Sequence, residues 1–286
     1  MHEDAQRQKS LSVDLGPSRK DFTMRNTRFV RLVVAALAVS VLTMRPASAD
    51  PAPTPPATAR PTIVLVHGAF ADASGYQRLI PILQRVGYEV LAVQIPLASL
   101  DGDVETTKRF LDGINGPIVL VGHSYGGAVI TGAAAGNPKV KALVYLAAFA
   151  PESGEALGVF GDKYPVDLST ALQPDSAGFL YIDRAKFHAD FCADLSAGDA
   201  RVMAVTQKPL NKSVFGASVP EAAWKTIPSW FLVSQDDHAI NTDLERFYAK
   251  RMNAKTSEVK SSHVAFISHP DVVAKLIEQA ASAPAK

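Results

Sequence analysis

The sequence predicts an α/β fold: a doubly wound, mainly parallel sheet of about six strands with an inserted helical lid. Three observations predict it. Short, almost wholly apolar runs recur from residue 62 onward, as strands buried on both faces require. Segments with apolar residues at helical spacing separate them, and repeated strand–helix units wind a parallel sheet with helices on both faces. The rhythm breaks once, over residues 150–228, where a Gly-, Pro- and Asp-rich stretch is too long for a connecting loop.

The elements follow in order. Thr62–Val66 (TIVLV) is the first strand, and Tyr76–Val86 a helix stopped by Gly87. Tyr88–Val93 is the second strand, and Asp103 is placed to cap a helix running through Phe110 and Leu111. Ile118–Val121 is the third strand, followed by a Gly-rich turn and an Ala-rich helix over 128–135. Val140–Leu146 is the fourth, Ser229–Ser234 the fifth and Thr256–Lys260 a weaker sixth. Helices over Thr242–Met252 and Asp271–Ala280 complete the pattern. Within the insertion, helical patches lie near Arg184–Leu195 and Asp199–Gln207. Its aromatics Phe160, Phe179, Tyr181, Phe187, Phe191 and Trp224 are available to line a cavity or to pack its own core.

The first fifty residues read as targeting, not fold. Residues 1–23 are polar and patternless, an upstream extension. Met24 opens a stretch with three arginines, an uncharged apolar run from Leu32 to Met44, and the small residues Ala47-Ser48-Ala49. That is the pattern of a secretory signal peptide over 24–49, and its apolar run falls short of the roughly 20 residues that span a bilayer. Export with cleavage near Ala49, to the periplasm or outside, and no stable membrane anchor afterwards, is the expectation. Residues 50–61 form a Pro/Ala-rich linker before a domain over 62–286. Lys+Arg 29 against Asp+Glu 28 gives a net +1. Residues 1–49 hold eight basic and four acidic residues, so the remainder carries 21 against 24, a net of −3. No basic surplus is left to drive nucleic-acid binding. The single cysteine, Cys192, excludes an internal disulfide and any Cys-rich metal site.

The chemistry gathers at strand ends. Gly122-His123-Ser124-Tyr125-Gly126 is a G-x-S-x-G between the strand IVLV and the small-residue helix GGAVITGAAAG. Strand, sharp turn and helix together are what a nucleophile elbow requires, and the turn leaves no room for bulk at Gly122 and Gly126. It holds the Ser124 hydroxyl at a helix N-terminus, where the dipole favours a developing anion. His67-Gly68-Ala69-Phe70 ends the first strand, where a turn aims a backbone N–H at the same point. The Ala69 and Tyr125 N–H groups are thus the expected oxyanion hole.

A serine nucleophile needs a base, and the base an orienting acid. Among seven histidines, His263 follows the last strand in a loop at the sheet's carboxyl edge and is the expected base. His67 and His123 read as structural, and His238 and His269 as surface residues. The acid should follow the fifth strand, where Asp236 and Asp237 stand together, and spacing does not separate them. The order Ser…Asp…His fits one of the known triad orders.

These motifs give the chain a family resemblance. VLVHGAFADAS (64–74), VGHSYGGAVI (121–130), VYLAAFAPESGE (144–155), SQDDHAI (234–240) and SSHVAFISHP (261–270) resemble those of the α/β-hydrolase fold, in its small, lidded esterase and hydroxynitrile-lyase branch, which includes pyrethroid-type carboxylesterases. The resemblance implies an acid in a D-x-x-I element, which selects Asp237. It implies catalysis without metal or organic cofactor, on a small-molecule ester. Phe70, Phe149, Phe191 and Trp224 are the expected lining of an apolar substrate pocket. The expected activity is hydrolysis of small, apolar carboxylic esters through an acyl-enzyme on Ser124. Three alternatives share the scaffold: a ligand-binding protein with little turnover, a hydroxynitrile lyase, and a cofactor-free perhydrolase or dioxygenase. Plant hydroxynitrile lyases carry a threonine where Gly68 stands and a lysine where Val264 stands.

Overall fold

The computed structural model describes residues 60–284. The expected extension (1–23), signal peptide (24–49) and all but the last two residues of the linker (50–61) lie outside the described residues.

Six strands form the central sheet: β1 (Thr62–Val66), β2 (Val90–Val93), β3 (Ile118–His123), β4 (Val140–Leu146), β8 (Ser229–Ser234) and β9 (Lys255–Val259). Their order is β2-β1-β3-β4-β8-β9 and every pairing is parallel. β1, β3 and β8 are buried along their whole length, which is why they read as unbroken apolar runs. β9 (KTSEV) is a largely exposed edge strand whose charges discourage pairing with another chain.

Three helices pack around this sheet where the pattern puts them, with shifted ends. α2 (Leu100–Asp112) is capped by Ser99, whose side chain accepts from the Gly102 N–H, and not by Asp103. Asp103 sits inside the first turn with its carboxylate fully buried, taking the Leu97 N–H at 2.8 Å and the Tyr125 hydroxyl at 2.7 Å. α3 (Tyr125–Ala133) starts directly after Ser124 and is buried along its whole length. α8 (Pro270–Ala281) opens with proline in its first turn and buries Val273, Ala274, Leu276, Ile277 and Ala280 against the sheet. The helix expected over Tyr76–Val86 is two pieces, a 3-10 turn over Ala73–Arg78 and α1 (Ile80–Arg85). Pro81, with no N–H to donate and a fixed φ, restarts the helix at its own first turn.

The insertion between β4 and β8 has helices at both expected patches but is mixed in structure and not wholly helical. It contains a three-stranded antiparallel sheet of β5 (Leu172–Pro174), β6 (Phe179–Ile182) and β7 (Leu210–Asn211), beside α4 (Phe187–Phe191) and α5 (Ala197–Thr206). The β5–β6 hairpin turns on Asp175, whose side chain accepts from the Ala177 and Phe179 N–H groups, and on Gly178 at φ +83°. α6 (Thr242–Arg251) follows β8, with Asn241 as its cap, Asp243 and Glu245 in its first turn, and Lys250 and Arg251 in its last. A short α7 (Ala265–Ser268) leads from the His263 loop into α8.

Candidate active site

In-register parallel pairing brings the carboxyl ends of the strands to one edge. Val66 lies opposite Gly122, Gly122 opposite Tyr145, and Tyr145 opposite Phe231. The segments that leave those ends therefore meet. Four of the five non-glycine residues at positive φ among the described residues follow those ends: Phe70 (58°) after β1, Leu97 (65°) after β2, Ser124 (53°) after β3 and Ala147 (44°) after β4. Each such conformation costs on the order of 1 kcal/mol and persists only where the surrounding packing dictates it.

Ser124 forms the elbow at φ 53° and ψ −125°. Its N–H donates to the Leu146 carbonyl, and its own carbonyl accepts from the Gly127 and Phe149 N–H groups. Close approach enforces the glycines: a Cβ on Gly122 would lie 2.6 Å from the Gly126 oxygen, and one on Gly126 2.5 Å from the Val66 oxygen. Gly68 faces the elbow from the segment after β1, where a Cβ would lie 2.7 Å from Ser124 Cβ. No carbonyl among the described residues accepts from the Ala69 or the Tyr125 N–H. Both residues line one cavity with Ser124 and His263. The Tyr125 side chain has a separate task, since its bond to buried Asp103 fixes the start of α3.

His263 is buried, and its Nδ1 meets Asp237 Oδ2 at 2.5 Å, with both side chains shut off from solvent. Nδ1–H donates to the carboxylate, which leaves Nε2 as the lone-pair nitrogen. Asp237 Oδ1 accepts from the Ala239 and Ile240 N–H groups at 2.7 and 2.9 Å, so the carboxylate is held at both oxygens. Asp236 is exposed and contributes only its N–H, to the Ser261 carbonyl. The structure thus brings Ser124, Asp237 and His263 to one edge and leaves Asp236 outside.

The other histidines fall into supporting positions. His123 Nε2–H donates to the His263 carbonyl at 2.9 Å, and the two rings lie 4.6 Å apart. Burial, and then the nearby His263, pushes the His123 imidazolium well below the ordinary histidine range, so the ring stays neutral. His67 accepts the Ile95 N–H at Nε2 and bonds the Gly68 carbonyl through Nδ1, with burial holding its pKa down to about 4. His238 is on the surface, against Asp167 at 2.6 Å.

The cavity measures about 180 Å³ and includes Phe70, Phe149 and Phe191 of the expected lining. Trp224 is not part of it. Its indole N–H donates to the Pro151 carbonyl at 2.9 Å, and Arg251 lies over its ring, so it anchors the start of the insertion to α6. Of the other insertion aromatics, Phe160 lines the cavity, while Phe187 is buried against Phe191 and Tyr181 points to solvent. Tyr164, Leu168, Leu172 and Phe215 also contribute, and no local pattern singles them out. Among the described residues, no Lys, Arg, Asp or Glu side chain lines the space. Among the described residues, no three His, Cys, Asp or Glu side chains are grouped to hold a metal ion. Cys192 is buried, with its thiol pushed up to about 12 by burial and nearby Asp194, which keeps it unreactive.

A parallel sheet with a serine elbow after its third strand and a His–Asp pair after its last two defines the α/β-hydrolase class of fold. Comparison with known proteins agrees: residues 63–276 match the alpha/beta hydrolase family, and the chain belongs to it. The pyrethroid hydrolase of Sphingobium wenxiniae is 27% identical over 255 residues, covering 78% of this chain and 89% of that protein. The carbendazim hydrolyzing esterase of Nocardioides sp. is 38% identical over 140 residues, covering 44% of this chain and 53% of that protein. Among solved structures, polyneuridine aldehyde esterase superposes with a TM-score of 0.69 at 19% identity, covering 77% of this chain and 98% of that one, a likeness of fold.

Proposed function

We propose that this protein is a serine carboxylesterase acting on small, apolar esters. The observation that carries the reading is the strained Ser124 elbow opening into the same apolar, uncharged cavity as His263, which is paired with buried Asp237. His263 Nε2 takes the Ser124 hydroxyl proton as Oγ attacks the ester carbonyl carbon. The carbonyl electron pair moves to oxygen, where the Ala69 and Tyr125 N–H groups receive it. Collapse breaks the bond to the leaving alkoxide, which takes the proton from His263. Water, activated by His263, then adds to the acyl-enzyme and releases the acid and Ser124. Relatives named as a pyrethroid hydrolase and a carbendazim hydrolyzing esterase support ester and related acyl substrates. Gly68 and Val264 give the lyase reading no support, because neither is the threonine or the lysine that plant hydroxynitrile lyases carry at those places. In this reading the insertion acts as a lid, and the amino-terminal pattern supports export with cleavage after Ala49, which sequencing the amino terminus of the exported protein would check.

Hydrolysis of p-nitrophenyl esters from acetate to decanoate tests the activity on the chain from Asp50. Ser124→Ala is expected to lower kcat by at least about 10² and Asp237→Asn by up to about 10⁴. A folded protein inert toward every ester, or one whose activity survives Ser124→Ala, overturns the reading.

A further inference from the structure

Glu245 is a fully buried carboxyl that the ester mechanism does not use. It lies in the first turn of α6 with no solvent exposure. Oε2 accepts the Ser234 N–H at 3.0 Å, at the end of β8. Oε1 is equally buried and has no donor among the described residues. Asp237 stands three residues beyond Ser234, whose N–H Glu245 takes, and is the neighbouring acid that bears on the Glu245 carboxyl. Asp237 is itself buried and occupied by His263 on one oxygen and two backbone N–H groups on the other. Two neighbouring buried carboxyls do not both ionise. Asp237 has three donors to stabilise its charge and Glu245 has one, so the proton belongs to Glu245. The groups that act on Glu245 electrostatically agree with this. Burial and then Asp237 push its pKa well above the usual carboxylate range, opposed only weakly by the Ser234 N–H and by exposed Arg246 on its own helix.

From this arrangement we infer that Glu245 is a positioning residue, whose carboxylic O–H donates to the Asp237 carboxylate and holds that anion in the orientation that meets His263. The inference rests on the reading of Asp237 and His263 as the relay of an ester hydrolase. The donated hydrogen bond also withdraws charge from Asp237, so it sets how strongly Asp237 favours the imidazolium form of His263.

Two substitutions test it. Glu245→Gln supplies an N–H donor to Asp237 and an acceptor to Ser234 without a titrating proton. Glu245→Leu supplies neither. The NMR titration of His263, which needs no substrate, is read beside the pH profile of kcat/KM. In Glu245→Gln the His263 titration stays at its wild-type position. In Glu245→Leu it moves up by about one pH unit, because Asp237 loses a donor and attracts the imidazolium more strongly. The acid limb of kcat/KM follows it, and kcat falls more than KM changes. Stability supplies the third readout. The folded state holds the Glu245 proton more tightly than the unfolded chain. Wild type therefore loses stability relative to Glu245→Gln as pH rises above the ordinary glutamate range. The loss is about tenfold in the folded-to-unfolded ratio per pH unit from about pH 4.3 until Glu245 ionises.

A Glu245→Gln protein with the same stability profile as wild type overturns the inference. So does a Glu245→Leu protein whose His263 titration has not moved. If Glu245→Leu does not fold, the stability comparison with Glu245→Gln decides alone. A shifted His263 titration in a protein that hydrolyses no ester supports the Glu245–Asp237 bond and sinks the esterase reading instead.

Discussion

The strands that present Ser124 and the insertion that encloses it are built on opposite terms. β1, β3 and β8 are buried from end to end, pair in parallel register and leave backbone so close that a single added carbon does not fit. The insertion uses strands of two to four residues and short helices, and joins the rest through aromatic packing, Phe191 on Phe70 and His263 and Phe160 on Phe247 and Tyr248, together with individual polar contacts. Glu155 pairs with Arg251 at 2.6 Å, Leu168 donates to the His238 carbonyl, and Asn211 donates to the Leu97 carbonyl. The difference separates two jobs. The reacting groups sit where backbone packing fixes them, and the cavity wall is supplied by side chains of an inserted segment built from short elements.

Breaking the sheet side has the largest expected effect. Gly126→Val puts a side-chain carbon 2.5 Å from the Val66 carbonyl oxygen and 2.7 Å from that of His67, both backbone atoms with nothing flexible to yield. The expected outcome is a loss of several kcal/mol, about 3 or more, and no cooperative melt at 37 °C. A thermal melt near the wild-type Tm would show that the elbow is softer than its geometry implies.

The same contrast decides what the sequence makes legible. Strands buried on both faces have to be apolar throughout, so the central strands and the elbow are visible as runs and as glycines, whereas the exposed edge strand β9 gives a weaker signal. Packing between distant segments leaves no such trace. Asp236 and Asp237 are equivalent by spacing, and only a family resemblance separates them before the His263 contact does. Asp103 has the residue type and position of a helix cap, yet Ser99 caps and Asp103 serves Tyr125 from a different element. Trp224 is aromatic and in the insertion, but its indole N–H finds the Pro151 carbonyl away from the cavity. Glu245 reads as an acidic residue suited to a helix N-terminus, and its burial against Asp237 exists only in three dimensions. The β5–β6 hairpin is different: Pro174-Asp175 and Gly178 before the alternating FLYI are a turn signal, outweighed by the helical patches that follow.

A further contact between the two regions gives a middle-sized effect. Asp194, between α4 and α5 of the insertion, accepts the Ser262 N–H at 3.1 Å and also the Ser262 hydroxyl, beside His263. Asp194→Ala leaves a half-buried N–H without its acceptor and loosens the loop that carries the base. The expected cost is about 1–2 kcal/mol in stability. kcat/KM should fall about tenfold, because the base is less well placed. Equal activity in the two proteins would show that the His263 loop is held by β9 and α7 alone.

The smallest effect belongs to the wall itself. Phe215 lines the cavity from the insertion and is only partly buried, so its ring is not a keystone of the core. Phe215→Ala enlarges an apolar space of about 180 Å³ without touching the strand ends. The turnover of acetate esters should change by less than about threefold, whereas longer acyl chains gain, since each newly buried methylene is worth about 0.8 kcal/mol, or roughly fourfold. The chain-length optimum in a p-nitrophenyl ester series therefore moves upward while the acetate rate holds. A uniform loss across the series would mean that the insertion supports the geometry of Ser124 and His263 as well as the shape of the cavity, and that the two regions are less separable than their construction suggests.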